Sequence, residues 1–246
     1  MKKDELLSNL KLMFQSLHKE LSTIQYKPNN VKERLAIAYC SRMLEAYAAS
    51  IHLIQADIIS QFPIIVRSQF ESLIDLELVI NNPRATKYLL AEVYRVQEEY
   101  CTRIIDVAPT LDGHPDPKER RKALKKKLSE LEREGIKPRS WTSKISRSNL
   151  PDQLKWICKM CSCAVHNNLL ELIKRNIDNS DKTSVIIFKD IDIKSLRVYI
   201  VSLCDTMIIA FNMLHELLEL SRSDEFIKAT ETYRQLGEKF DEMGPI

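Results

Sequence analysis

Residues 62–80 read FPIIVRSQFESLIDLELVI, and this stretch decides the fold class. Apolar residues occupy almost every side of the helix that its 3.6-residue spacing predicts, as in a helix surrounded by other helices. Pro63 suits the first turn of that helix, where its missing N–H removes no hydrogen bond. The run Asn81-Asn82-Pro83 then ends it. The sequence therefore predicts a central helix that needs a surrounding bundle.

The rest of the chain supplies that bundle. Helical spacing of apolar residues continues on both sides of this segment, and only Thr183–Phe188 favours an extended strand. We therefore predict an all-α fold, a multi-helix bundle of about seven or eight helices with a charged helical insert. Residues 1–246 would form one domain, within which residues 109–148 are a basic insert or linker region. The other predicted helices cover residues 4–25, 31–59, 84–107, 118–134, 151–177, 193–221 and 223–236.

Glycine and cysteine contents exclude several classes of protein. The chain has only four glycines, so it lacks the glycine-rich loops that bind nucleotide phosphates and the GxSxG turn of hydrolases. We expect no cofactor. Six cysteines among 246 residues are too few for a disulfide scaffold. Because the charged N-terminus does not resemble a signal peptide and no window of about eighteen residues is uninterruptedly apolar, we expect a cytoplasmic protein without membrane insertion.

A polar stripe runs along the central helix. Arg67 and Glu71 are one turn apart and can pair, with Ser68 and Asp75 on the same side. An arginine surrounded by apolar residues needs such a partner, because an isolated buried charge costs several kcal/mol. One interpretation is an ion pair that fixes the register of the helix. The other is a polar pocket in which Arg67 binds an anion or stabilises a transition state.

The segment CKMCSCAVH at residues 158–166 combines three cysteines with a histidine. On a helix the cysteines point in different directions, whereas metal ligands must converge, so we predict buried thiols and no metal site. Ser162 and His166 share one face at spacing i, i+4. His166 falls at the edge of the apolar face, where a packing histidine and a catalytic or ligand-binding histidine both fit.

The run Val66-Arg67-Ser68-Gln69-Phe70-Glu71-Ser72 and the later element from Ser162 to Asn167 resemble a family of bacterial helical proteins known only as a domain of unknown function. In that family an Arg-Ser-x-x-Glu helix and a later Ser-x-x-x-His helix recur, and the resemblance covers residues 30–220. Such proteins are similar in outline to the HEPN superfamily of helical bundles. Many HEPN members are metal-independent ribonucleases that dimerise and act in phage defence or toxin–antitoxin systems. The chain departs from the HEPN signature, since no arginine precedes any of its five histidines by four to six positions.

The insert is strongly basic. Residues 117–147 hold twelve Lys and Arg against four Glu, a local charge of +8, so the remainder of a chain of net charge +3 carries −5. RNA or another polyanion would be attracted to this segment through the release of counterions from its phosphates. The alternatives are a solvated linker helix and contacts with an acidic protein or anionic lipid. The candidate nucleic-acid-binding residues are Lys118, Arg120, Arg121, Lys122, Lys125, Lys126 and Lys127.

These observations support two hypotheses of function. The first is a helical interaction or sensor protein of a bacterial defence or stress system, which binds nucleic acid through the basic insert and has a protein partner. The second is a HEPN-like metal-independent ribonuclease, in which His166 transfers protons, Arg67 stabilises charge at phosphorus and Glu71 positions Arg67. The sequence leaves open whether the protein is an enzyme. Exposed apolar helices at either terminus would suit a homodimer.

Overall fold

The computed structural model describes residues 2–58, 61–107, 116–165 and 193–242. Within these ranges every regular element is a helix, which confirms the all-α prediction. The predicted strand Thr183–Phe188 and the end of the helix predicted at 151–177 lie outside the described residues. The described helices are α1 (Lys3–Thr23), α2 (Val31–Gln55), α3 (Phe62–Asn81), α4 (Ala85–Val107), α5 (Pro117–Arg133), α6 (Trp141–Arg147), α7 (Asp152–Val165), α8 (Ile193–Leu218) and α9 (Asp224–Glu242).

Capping side chains explain where several helices begin. The side-chain oxygen of Asn30 accepts hydrogen bonds from the backbone N–H groups of Lys32 and Glu33, at 3.1 and 3.4 Å, and so caps α2. Asp116 accepts one backbone N–H of α5 in the same way, ahead of Pro117 at the first helical position. These caps satisfy N–H groups that have no partner inside the helix.

The structure differs from the predicted helices in two places. The short helix α6 was not predicted; Ser140 caps it by accepting a backbone N–H of its first turn, and Ile145 is buried on its inner side. The last helix, α9, continues past its predicted end at residue 236. Gly237 is accommodated within the helix because Leu236 and Phe240, one turn apart, both stay on the buried face.

The described contacts divide the chain into two compact units. Unit 1 combines Met1–Glu77 with Asn149–Ile246, and unit 2 is Leu78–Ser148. The predicted insert at residues 109–148 ends where unit 2 ends, but unit 2 also includes the last turn of α3 and all of α4. The organisation of residues 1–246 as one domain stays a prediction.

Unit 1 is built on α1, α2, α8 and α9, with α7 packed on α8. α1 and α9 are antiparallel, because Lys19 pairs with Glu225 at 2.5 Å near one end and Glu5 pairs with Lys239 at 2.6 Å near the other. The apolar face of α1 is therefore used inside unit 1 and is not exposed as we expected for a homodimer. Its buried residues include Leu6, Leu10, Met13 and Leu17.

A buried polar cluster joins α1, α8 and α9. Glu20 and His215 are each 4% exposed, and Oε1 of Glu20 lies 2.8 Å from Nε2 of His215. Because an ionised carboxylate only accepts hydrogen bonds, Nε2 is the donor. The other carboxylate oxygen accepts a hydrogen bond from Oγ of Ser223, and this Oγ accepts the N–H of Phe226 and caps α9. One carboxylate thus fixes the relative positions of three helices.

Among the described helices, only α8 is long and apolar enough to cross a membrane by length and composition. Its stretch Leu196–Leu218 has a mean hydropathy of 1.5 in its most apolar window, and 56% of that window is buried. The core helix of a soluble protein meets the same criteria. In unit 1, α8 packs against α2, α7 and α9.

Unit 2 contains α4, α5 and α6. α4 packs along α5, and Ala91, Cys101 and Leu124 are buried there. α6 is tied to α4 by Lys144, whose Nζ lies 2.5 Å from Oε2 of Glu92. Another face of α4 carries exposed apolar residues, namely Leu90, Val93, Val96 and Tyr100.

Candidate functional site

Arg67 and Glu71 form the pair on α3 that their spacing predicts. Nε of Arg67 donates to Oε1 of Glu71 at 2.9 Å, one turn along the helix. The Arg67 side chain is 13% exposed and that of Glu71 is 37% exposed, so the guanidinium is largely withdrawn from water while the carboxylate reaches it. Val66, Phe70 and Leu73 on the same helix are buried. The pair is therefore a polar patch in an apolar surrounding, open to solvent on the side of Glu71.

Two cysteines of α7, Cys158 and Cys161, lie close to this pair. The charges of Arg67 and Glu71 both act on the thiol of Cys158, and Arg67 also acts on Cys161. Burial raises the pKa of each thiol to about 12, and the positive charge of Arg67 opposes that shift. Both thiols therefore stay protonated at neutral pH and behave as small apolar groups, not as nucleophiles. The guanidinium and these two thiols are therefore neighbours in the fold.

Ser162 lies one turn beyond Cys158 on α7. Its Oγ donates to the backbone carbonyl of Cys158 at 3.0 Å, so the hydroxyl is engaged within its own helix. His166, the predicted proton-transferring residue, lies outside the described residues. The described part of the site therefore consists of Arg67, Glu71 and the adjacent face of α7.

Gln69 is a buried polar residue on the same helix. It has no exposed surface, and neither atom of its side-chain amide has a hydrogen-bonding partner among the described residues. A buried unpaired polar group costs about 1–3 kcal/mol, so Gln69 lowers the stability of α3 in its present position. The described residues also include no cluster of three or more His, Cys, Asp or Glu side chains that could hold a metal ion.

The basic helix α5 uses part of its charge in packing on α4. Nε of Arg121 donates to Oε1 of Glu98 at 2.7 Å, and Nζ of Lys125 lies 3.7 Å from the same oxygen. Nζ of Lys127 lies 5.0 Å from the centre of the Tyr94 ring, a cation–π contact. The hydrogen bond from Arg121 holds the pKa of the Glu98 carboxyl below its usual value. Three of the seven candidate cations are thus engaged within unit 2.

The other four cations of α5, Lys118, Arg120, Lys122 and Lys126, are exposed and form no ion pair with a described residue. Lys118, Lys122 and Lys126 follow one another at a spacing of four, so they share one face of α5 over about 12 Å. This face, called the lysine stripe below, is opposite the buried Leu124. Packing on α4 therefore separates the seven cations into an engaged group and a solvent-facing group.

The fold and these sites define an all-α protein with a partly buried arginine–glutamate pair and a separate basic helix. The chain belongs to a family of unknown function (DUF5677), whose model matches residues 33–183. That range includes Arg67 and Glu71 on α3, the cysteines of α7 and the whole of α5. No curated protein and no solved structure matches the chain. The resemblance to an uncharacterised helical family is therefore confirmed, and the HEPN-like relationship stays a prediction.

Sequence reasoning missed two carboxylates that organise these surfaces. Glu98 on α4 receives two cations of α5, and Asp205 on α8 accepts a hydrogen bond from Tyr233. Asp205 is an acidic residue among mainly apolar neighbours on its helix, which is the sequence signal that could have singled it out. Glu98 lies between Gln97 and Glu99 and carries no such signal. Their partners lie 23 and 28 positions away, so the pairing itself requires the tertiary structure.

Proposed function

We propose that this protein is a non-catalytic helical interaction or sensor protein of a bacterial defence or stress system, and that it binds RNA through the lysine stripe of α5. The separation of the seven cations of α5 supports this proposal. Arg121 and Lys125 face Glu98 of α4. Lys118, Lys122 and Lys126 lie along another, exposed face of α5 and have no counter-charge among the described residues. We place this activity in the cytoplasm, where RNA is available.

The lysine stripe determines what kind of binding to expect. Lysine is a flexible point charge that contacts phosphates without reading bases. A row of three lysines therefore gives weak, sequence-independent and strongly salt-dependent affinity. The affinity is described by the slope of the logarithm of the association constant against the logarithm of salt concentration. Each phosphate contact on a single strand makes this slope steeper by about 0.7, so the three lysines together contribute about 2.

Fluorescence anisotropy with a labelled single-stranded RNA of mixed sequence tests the proposal. The logarithm of the association constant should fall linearly with the logarithm of salt concentration between about 50 and about 200 mM. Replacing Lys118, Lys122 and Lys126 together by glutamine should reduce the steepness of this dependence by about 2 and weaken binding at low salt. The full chain is used throughout.

A matched control removes the same charge elsewhere. Lys11, Lys32 and Arg42 are exposed residues of unit 1, and their joint replacement by glutamine changes the net charge equally. This variant should retain the slope of the wild type. The proposal is wrong if the wild type does not bind RNA at low salt, or if both triple variants lose affinity to the same extent.

A second candidate function is supported by the Arg67 site. A largely buried guanidinium, positioned by a carboxylate at 2.9 Å, suits the stabilisation of charge at phosphorus. α7, whose described part ends at Val165, leads directly to His166. In a HEPN-like ribonuclease His166 would transfer protons while Glu71 positions Arg67.

Expression in bacteria distinguishes this candidate from the first. If the protein cleaves RNA, wild type should degrade cellular RNA and slow growth, and His166→Ala and Arg67→Met should abolish both effects. His52, an exposed histidine at the end of α2, provides the control, since His52→Ala should behave as wild type. Equal RNA integrity with wild type and His166→Ala contradicts catalysis.

We also propose a homodimer that uses the exposed apolar stripe of α4. Leu90, Val93, Val96 and Tyr100 are between 39% and 62% exposed and follow one face of this helix. Such a stripe is unusual on the surface of a monomer and would be buried by a second copy. Light scattering after size exclusion should give a dimer for the wild type and a monomer for Val96→Glu. A monomeric wild type contradicts the proposal.

A further inference from the structure

Unit 1 contains a cleft of about 700 Å³ between the start of α7 and the middle of α8. Its volume falls within the range of sites that bind small organic molecules. Most of the described wall is apolar. The side chains that form it include Leu154, Ile157, Val198, Val201 and Ile209.

Asp205 adds a carboxylate to this apolar wall. Its Oδ1 accepts a hydrogen bond from the hydroxyl of Tyr233 on α9. Burial raises the pKa of Asp205, and the hydrogen bond from Tyr233 opposes that shift. Among the described residues no cation forms an ion pair with this carboxylate. Within the described part of the chain, Asp205 thus has one neutral hydrogen-bond donor and no counter-ion.

Arg197 is the single cationic residue in the described wall, and its guanidinium is engaged elsewhere. Its Nη2 lies 2.6 Å from Oδ1 of Asp241, and the guanidinium carbon lies 5.8 Å from the centre of the Phe240 ring. Arg197 also precedes Asp205 by two turns of α8. The polar character of the cleft at Asp205 is therefore acidic.

Charge and shape together specify the class of ligand. A carboxylate partly withdrawn from water gains most from a cation that also replaces water on the surrounding apolar surface. An inorganic cation would leave the apolar wall hydrated, and an anion would be repelled. A molecule with an apolar body and one protonated amino group satisfies both parts of the cleft.

We propose that the cleft between α7 and α8 binds a small amphipathic amine, with its ammonium group on Asp205 and its apolar body against Leu154, Val201 and Ile209. Tyr233 acts as a positioning residue, because its hydroxyl holds the carboxylate from α9 and leaves the second oxygen for the ligand. This site is independent of the lysine stripe, which belongs to unit 2.

Isothermal titration calorimetry with hexylamine on the full chain tests this proposal. We expect saturable binding at one site with a dissociation constant of about 1 mM, which is ordinary for a ligand of this size. Hexanoate and hexanol have the same chain without the cation and should bind at least about tenfold more weakly. Asp205→Asn keeps an acceptor for Tyr233 and should weaken hexylamine binding about tenfold or more.

Two further variants keep the test decisive. Asp152→Asn removes an almost fully exposed carboxylate of α7 outside the cleft and should leave hexylamine binding unchanged. Val201→Trp fills the cleft and should abolish binding without removing any charge, even if Asp205→Asn does not fold. The proposal is overturned if hexylamine fails to saturate, if hexanol binds equally well, or if Asp205→Asn binds hexylamine like the wild type. It is also overturned if Val201→Trp converts a dimer into a monomer, because a second copy would then occupy the cleft.

Discussion

Replacing Glu20 by leucine is the strongest available test of how unit 1 is held together. The carboxylate of Glu20 is buried between three helices, where it accepts hydrogen bonds from Nε2 of His215 and Oγ of Ser223. Leucine has a similar volume but accepts neither hydrogen bond. Because His215 is buried and Ser223 is half-buried, Nε2 of His215 would lose its carboxylate partner without reaching water, whereas the Ser223 hydroxyl would regain part of its hydration.

The expected loss of stability in Glu20→Leu follows from the number of hydrogen-bonding groups left unpaired. A buried donor without a partner costs about 1–3 kcal/mol and the half-buried Ser223 hydroxyl costs less, so the loss of both hydrogen bonds should lower the free energy of unfolding by about 3 kcal/mol. For a chain of this length each kcal/mol shifts the melting temperature by about 2–4 °C, which predicts a decrease of about 10 °C.

Circular dichroism during thermal and urea unfolding measures this effect. Glu20→Gln retains an acceptor for His215 and an amide beside Ser223, so it should cost clearly less than Glu20→Leu. Glu5→Gln on the same helix removes only an exposed pair with Lys239 and should leave the melting temperature almost unchanged. If Glu20→Leu is as stable as Glu5→Gln, the cluster does not hold the three helices together.

Three other predictions concern groups described above. Glu98→Gln should lower stability at neutral pH by up to about 1 kcal/mol. Because Arg121 lowers the pKa of Glu98, this stabilisation is present above the usual pKa of 4.5 and is lost as the pH falls through the lowered value, so urea unfolding of wild type and variant should converge in acid. Gln69→Met should raise the free energy of unfolding by about 1 kcal/mol in the same assay, because it removes a buried amide without a partner; a decrease would show that the amide is satisfied. Cys158 and Cys161 should resist iodoacetamide in the native protein at mildly alkaline pH and react in urea, as peptide mass spectrometry would show; rapid native labelling contradicts their burial.

Local pattern was sufficient to predict most helices and the Arg67–Glu71 pair. Both depend on residues within a few positions of one another, and the 3.6-residue period places such residues on known faces. The errors at α6 and α9 have local causes as well. α6 has only seven residues, which is too short to show a clear hydrophobic period. In α9, glycine is a residue that commonly ends helices, but packing of the buried face carries the helix past Gly237.

The parts that the sequence could not predict all depend on distant partners. Glu20 and His215 are 195 positions apart, and nothing near either residue indicates the other. Which cations of α5 are engaged also depends on the contact with α4. Arg121 and Lys122 carry the same charge and are adjacent in sequence, but only Arg121 faces Glu98. Sequence reasoning therefore identified the charged helix but not which of its charges remain available.

The antiparallel pairing of α1 with α9 affects how this chain is made. Lys19 and Glu225 are 206 positions apart, so a ribosome adding about 5–20 residues per second needs about ten seconds or more to deliver the second partner after the first. During that interval the apolar face of α1, including Leu6 and Leu10, has emerged without the helix that completes its cover. Unit 1 can therefore complete this pairing only after α9 has left the ribosome, and until then the nascent chain leaves this apolar face open to chaperones and proteases.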